Sequence, residues 1–188
     1  MVIASTLAGC GREVTDLEKA IRAHDVAAVR SLIGGAARAE ASAAQMESAW
    51  LSALTSLERF EGSPSVEILR LLLQQGAPSR WVDASFHIDS ERDTSAIELA
   101  VRSWNPAAVR AMIEGGLTVT SQGTTDALVY AIADGNDEAA RLLVEAGASL
   151  VERATLSSGP LGGASPLEAV RRKGNAALEE YLLARGAR

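Results

Sequence analysis

Hydrophobic and polar positions along this chain follow the period of a helix, in paired runs. The clearest pair lies in Ser95 to Leu117, SAIELAVRSWNPAAVRAMIEGGL. Ile97, Ala100 and Val101 form one apolar stripe at helical spacing, and Val109, Met112 and Ile113 form a second. Ser95 is an N-cap type with Glu98 three residues on, which makes a capping box. Asn105-Pro106 breaks the first helix and opens the next, with Pro106 in a first turn where a missing N–H costs little. Gly115-Gly116 closes the unit, because the chain must turn left-handed after a helix.

The pattern recurs. Closing positions fall at Ala36, Gly76, Gly116, Gly147 and Gly186, spaced 40, 40, 31 and 39 residues apart. Thr15, Ser95, Asp126 and Ser165 each stand 21 residues before one of them, and all are N-cap types. Glu18, Glu98 and Glu168 complete three boxes. A period of this length built from a helix pair and a turn predicts a solenoid.

At this point the units resemble ankyrin repeats. Ser165-Pro166-Leu167-Glu168 stands where that family has its TPLH tetrapeptide. Gly135-Asn136 and Gly174-Asn175 stand at its glycine turn between helices. Leu142 to Ala148, LLVEAGA, is close to its second-helix ending, and Gln75-Gly76-Ala77 and Arg185-Gly186-Ala187 echo it. Glu replaces the tetrapeptide His in three units, and Val129 replaces it in a fourth. The resemblance implies an all-α ankyrin-repeat solenoid of about five helix-turn-helix units with projecting hairpin loops. The repeat domain runs over residues 15–188, with units at about 15–36, 39–77, 95–117, 126–148 and 165–188.

Within that frame, 39–60 reads as one long helix with Trp50, Leu54 and Leu57 on a face. About seven extra residues then precede the second helix of unit two. Leu117 to Thr125 reads as a short strand pair, and 149–164 as a flexible Gly-rich finger. Residues 78–94 make a long finger holding Trp81, Phe86 and His87 among charges. Its aromatics either anchor a partner or fold back over the hairpin base. His24 and Trp104 occupy inter-helix turns where the family prefers glycine.

Composition narrows the functions. Hydrophobic residues are 47% and aromatics 4%, so the core is Leu, Val, Ile and Ala, small enough for close helix stacking. A net charge of −6 argues against nucleic acid as partner. One cysteine excludes an internal disulfide and a Cys-rich metal site. There is no HExxH, nucleophile elbow or Walker loop, and the two histidines lie in distant units. The expectation is a protein that is not an enzyme and holds no metal or cofactor.

Residues 1–14 form an apolar tail. Leu7-Ala8-Gly9-Cys10 resembles the bacterial lipobox, in which small residues admit the peptidase and the Cys thiol takes the lipid. A basic n-region and a longer apolar core are missing, so the tail reads as a shortened lipoprotein signal. The bland alternative is an apolar tail with a stray thiol. Lipidation at Cys10 would tether the protein to a membrane in the periplasm; otherwise it is cytoplasmic.

Ankyrin repeats mostly bind other proteins, through the fingers and the end of each first helix. That implies a contact set of Arg22, Arg80, Trp81, Phe86, Asp89, Glu91, Arg92, Arg102, Trp104, Asp134, Arg172 and Lys173. Each charge taken singly is also what a solvated face would carry. The expected role is a steric inhibitor or immunity protein for a secreted toxin, a monomer when unbound. The alternative is a scaffold assisting a host enzyme, for example one of oxidative stress.

Overall fold

A computed structural model describes residues 15–34, 43–60, 62–74, 82–87, 93–155 and 161–188. Its helices come in pairs. Unit one is α1 (Asp16–Arg22) and α2 (Val26–Gly34); unit two is α3 (Ala43–Thr55) and α4 (Pro64–Gln74). A hairpin of β1 (Ser85–His87) and β2 (Asp93–Ser95) leads to α5 (Ala96–Arg102) and α6 (Pro106–Glu114). Unit four is α7 (Gln122–Asp134) and α8 (Asp137–Glu145); unit five is α9 (Pro166–Lys173) and α10 (Ala176–Ala184). First helices pack on first helices (α1–α3–α5–α7–α9), and second helices form the other layer (α2–α4–α6–α8).

Three of the four expected N-caps form, and of the three expected boxes the one at Ser165 closes from both sides. The hydroxyls of Thr15, Ser95 and Ser165 accept from the amides of Glu18, Glu98 and Glu168. At Ser165 the glutamate also accepts from the Ser165 amide (3.1 Å), completing the reciprocal box. Gly116, Gly147 and Gly186 end their helices with φ of +94°, +101° and +95°. Each is followed by an amide that reaches back five residues, as from Leu117 to Met112 and from Ala148 to Leu143. Gly115 sits close to the Leu73 side chain of α4. A Cβ there would lie 2.6 Å from Leu73 Cδ2, so a larger residue would push that side chain aside.

The asparagines of the inter-helix turns do two jobs. Asn105, Asn136 and Asn175 cap α6, α8 and α10 through their side-chain oxygens. Their amide nitrogens reach into the preceding unit. Asn105 donates to Glu58 O (2.7 Å) and Phe60 O (2.8 Å), Asn136 to Val101 O (3.2 Å), and Asn175 to the Asp137 carboxylate (2.8 Å). Each cap is therefore also a tie between units.

The core runs the length of the stack. Ala96 to Val101 are all buried, as are Thr124 to Val129, because α5 and α7 are flanked on both sides. Trp50 is core, at 1% exposure.

Three expectations need correction. Helix α3 ends at Thr55, not at Phe60; Ser56 to Phe60 belong to an enlarged turn. Leu117 to Thr125 is not a strand pair. Thr118 to Ser121 is a turn, and α7 starts a full turn early with Ser121 as N-cap, accepting from the Thr124 amide. Asp126 therefore lies inside the helix, where its carboxylate accepts from Gln122 Nε2 (3.0 Å) and the Thr155 amide (2.7 Å). That contact also corrects the third expectation, a flexible finger at 149–164. Its first half is pinned, with Gln122 donating to Arg153 O (2.9 Å) and Thr125 to Glu152 (3.2 Å). Ala36, Gly76 and Cys10 lie outside the described residues.

Candidate partner-binding surface

Connectivity puts the inter-helix turns and the fingers at opposite ends of the helices. A helix of 13 residues such as α3 is about 20 Å long. The expected contact set therefore falls into two groups rather than one patch. On the turn edge, α1 ends at Arg22, α5 at Arg102, α7 at Asp134 and α9 at Lys173, each the last residue of a first helix. Arg22, Asp134, Arg172 and Lys173 are exposed there. Arg102 is half-buried. Its guanidinium donates to Glu98 Oε1 (2.7 and 3.0 Å) and lies over the Tyr130 ring (4.9 Å). Glu98 is fully buried, so this pair is an internal neutralisation as well as a surface feature.

On the finger side, Phe86 is 1% exposed. This corrects its place in the contact set. Ser85 and Phe86 point to opposite faces of the strand, and Phe86 turns inward with buried Val82 and Ala84 to seal the hairpin base. Its register partner is Thr94. Asp83 fastens the hairpin to the next unit, accepting from the Thr118 amide (2.8 Å) and hydroxyl. Arg80, Trp81, Asp89, Glu91 and Arg92 lie outside the described residues.

Solved structures with this arrangement are ankyrin domains. The ankyrin repeat domain of Bcl-3, described as a unique member of the IkappaB protein family, superposes with a TM-score of 0.57 at 21% identity, over 95% of this chain and 74% of that one. An ankyrin repeat domain from Acinetobacter baumannii AYE superposes with a TM-score of 0.60 at 25% identity, over 97% of this chain and 88% of that one. The chain is an ankyrin-repeat solenoid. No protein-family model matches the sequence, and no curated protein matches it. The ankyrin fold supports protein binding as the activity.

In ankyrin terms the most unusual turns are the first three. Gly135 and Gly174 take φ of +77° and +70° at the fourth and fifth turns. His24 and Trp104 hold the same left-handed position at φ of +54° and +57°. A side chain there costs on the order of 1–3 kcal/mol and persists only where its surroundings hold it. Both side chains touch the enlarged turn of unit two. His24 Nε2–H donates to Ser56 O (3.1 Å), and Nδ1 faces Glu58 Oε2 at 3.5 Å. That separation is an ion-pair range rather than a hydrogen bond, and Glu58 Oε2 has no hydrogen-bond partner. Arg59 lies over the Trp104 ring at 4.7 Å. Ser103 completes the turn, with its hydroxyl donating to Ala100 O (2.7 Å) and accepting from the Asn105 amide (3.2 Å).

Sequence reasoning missed Arg59, Phe60 and Tyr130 as surface features. Phe60 was placed in a helix that stops five residues earlier, and it stands 58% exposed. Among the described residues no group of three or more His, Cys, Asp or Glu is placed to hold a metal ion. None of their helices is long and apolar enough to cross a membrane.

Two clusters tie the last units together. Arg153 forms a bidentate pair with Glu168 (2.6 and 2.9 Å) and donates to Gly163 O (2.6 Å). The hydrogen bond from Arg153, helped by the Ser165 amide, holds the Glu168 carboxyl below the ordinary glutamate range. Tyr181 is sandwiched near Arg185 (3.7 Å) and Arg141 (4.2 Å), and its hydroxyl donates to Glu145 (3.1 Å). Burial and then the Glu145 carboxylate push its phenol up from the ordinary value.

Proposed function

We propose that this ankyrin protein is a non-catalytic binding module that acts by covering its partner. In this reading it is a lipid-anchored periplasmic immunity protein that blocks a secreted toxin. The observation that carries the binding half is the turn edge, where four of the five first helices end on a charged residue. The stack fixes the backbone that carries these side chains, so docking orders side chains but no backbone. The lipid anchor is supported by the lipobox-like Leu7-Ala8-Gly9-Cys10. The second reading, a scaffold for a host enzyme, uses the same edge.

Affinity capture from the native organism with residues 11–188, followed by mass spectrometry, tests both. One stoichiometric toxin-like partner whose activity falls on mixing supports immunity. Recovery of a housekeeping enzyme with undiminished activity favours the scaffold, and the absence of any stoichiometric partner overturns the module. Localisation is tested separately. Cys10→Ser is expected to move the full protein from the membrane to the soluble fraction, and an unchanged distribution rules out the anchor.

A further inference from the structure

At neutral charge, His24 faces two acceptors with one proton. Its ring stands between Ser56 O, 3.1 Å from Nε2, and Glu58 Oε2, 3.5 Å from Nδ1. Neither a carbonyl nor an ionised carboxylate can donate. A neutral imidazole has a single N–H, so in either tautomer one ring nitrogen turns a lone pair toward an oxygen. With the proton on Nε2, the contact left bare is Nδ1 to Glu58, the longer of the two. Glu58 Oε2 is buried there without a hydrogen-bond partner. Only the imidazolium can donate to both oxygens at once.

The backbone on each side of this contact is fixed. His24 holds its ring out from a φ of +54°, and the amides of His24 and Asp25 reach back to Ile21 O (3.0 Å) and Ala20 O (2.9 Å). Across the gap, Glu58 donates its amide to Ser65 Oγ (3.0 Å), and its carbonyl accepts from Asn105 (2.7 Å). Charged groups approach from each neighbouring element. Arg22 is exposed at the end of α1, and Asp25 is exposed with its carboxylate accepting from the Ala28 amide of α2 (2.9 Å). The turn of unit two supplies Glu58 and Arg59, the latter over the Trp104 ring. Helix α3 has no charged residue after Glu47, and Arg102 of unit three pairs with Glu98. Glu61 lies outside the described residues. Glu58 is the group in ion-pair range of the ring.

We infer that His24 is a pH-sensitive latch between the first two units. The protonated ring donates from Nε2 to Ser56 O and from Nδ1 to Glu58 Oε2, and unit one is clamped on the stack. As pH rises through the ordinary imidazole range, about pH 6 to 7, Nδ1 gives up its proton and the bond to Glu58 goes with it. The added stability therefore belongs to the acid side of that range and is lost above it. The latch acts at the joint that sets Arg22 against the rest of the turn edge. Its test needs no partner, so it stands apart from the binding-module reading.

The test is amide hydrogen exchange of the full chain at about pH 5.5 and about pH 8, read as protection factors so that intrinsic rates divide out. Relative to α7 and α8, the amides of α1 and α2 are expected to gain at least threefold at the lower pH. His24→Gly suits the left-handed backbone and cannot titrate, so it should fold and show no gain. Glu58→Gln should also remove the gain, because its amide can donate to the neutral Nδ1 at the higher pH. The other histidine, His87 on β1, is retained in both variants and serves as the control. Ring nitrogen chemical shifts give a second readout, with His24 expected as the Nε2–H tautomer at about pH 8 and doubly protonated at about pH 5.5. Equal relative protection at both pH values, a gain that survives either substitution, or an Nδ1–H tautomer at the higher pH overturns the latch.

Discussion

Trp104 shows how one residue couples backbone, packing and surface. It sits where glycine is the unstrained choice, and its ring carries Arg59. In an ordinary helical site Ala is better than Gly by about 0.5–1 kcal/mol. At a φ of +57° the order should invert, because only Gly escapes the Cβ clash. Trp104→Gly is expected to be more stable than Trp104→Ala by about 1 kcal/mol in urea unfolding. Equal midpoints for the two would mean the turn relaxes to a right-handed form when the ring is gone. His24 offers the same comparison with its own contacts to Ser56 and Glu58.

At the scale of elements, the connections hold the stack as much as the helices do. Arg153 belongs to the loop after α8, and its bidentate bond to Glu168 in α9 fixes that loop on the last unit. The carboxyl of Glu168 is lowered relative to the unfolded chain, so the unfolded state takes up a proton first as pH falls. The stabilisation is therefore complete above the ordinary glutamate range and is lost as the pH drops through the lowered value. Arg153→Ala should return the Glu168 titration toward the ordinary range, read from its side-chain carbonyl carbon by NMR. It should also flatten the acid limb of the stability curve. A titration that stays low after the substitution would assign the effect to the Ser165 amide instead.

For the whole molecule, stability should vary along the stack, because each unit touches only its neighbours. The first helices α5 and α7 are covered on both sides and carry unbroken buried runs, Ala96 to Val101 and Thr124 to Val129. In α1 only Glu18, Ala20 and Ile21 are buried, and in α10 only Leu178 and Leu182. Amide hydrogen exchange is expected to be slowest in α5 to α8 and fastest in α1, α2 and α10. Uniform protection from end to end would show a single cooperative unit and contradict the nearest-neighbour picture.

The helix pairs, their N-caps and their glycine stops were legible in the sequence, because each rests on interactions within a few residues. Ser165 needs only Glu168 to form its box, and Gly116 needs only its own missing Cβ to turn left-handed. The places where the sequence left the outcome open or misled are mostly those where a distant unit decides. Helix α7 starts at Gln122 rather than Asp126, and Asp126 accepts from Thr155 in the next connection. Phe86 stood open in the sequence between partner anchor and hairpin cover, and pairing with β2 of its own hairpin made it the cover. Phe60 looked like helix, and bonds from His24 and Asn105 hold its turn in the open. The sequence by itself determined the repeating unit and its caps, since local hydrogen bonds and apolar period are written within each unit. Only the tertiary structure decided which side chains face outward, since that depends on partners about 30 to 50 residues away brought together by the stacking of units.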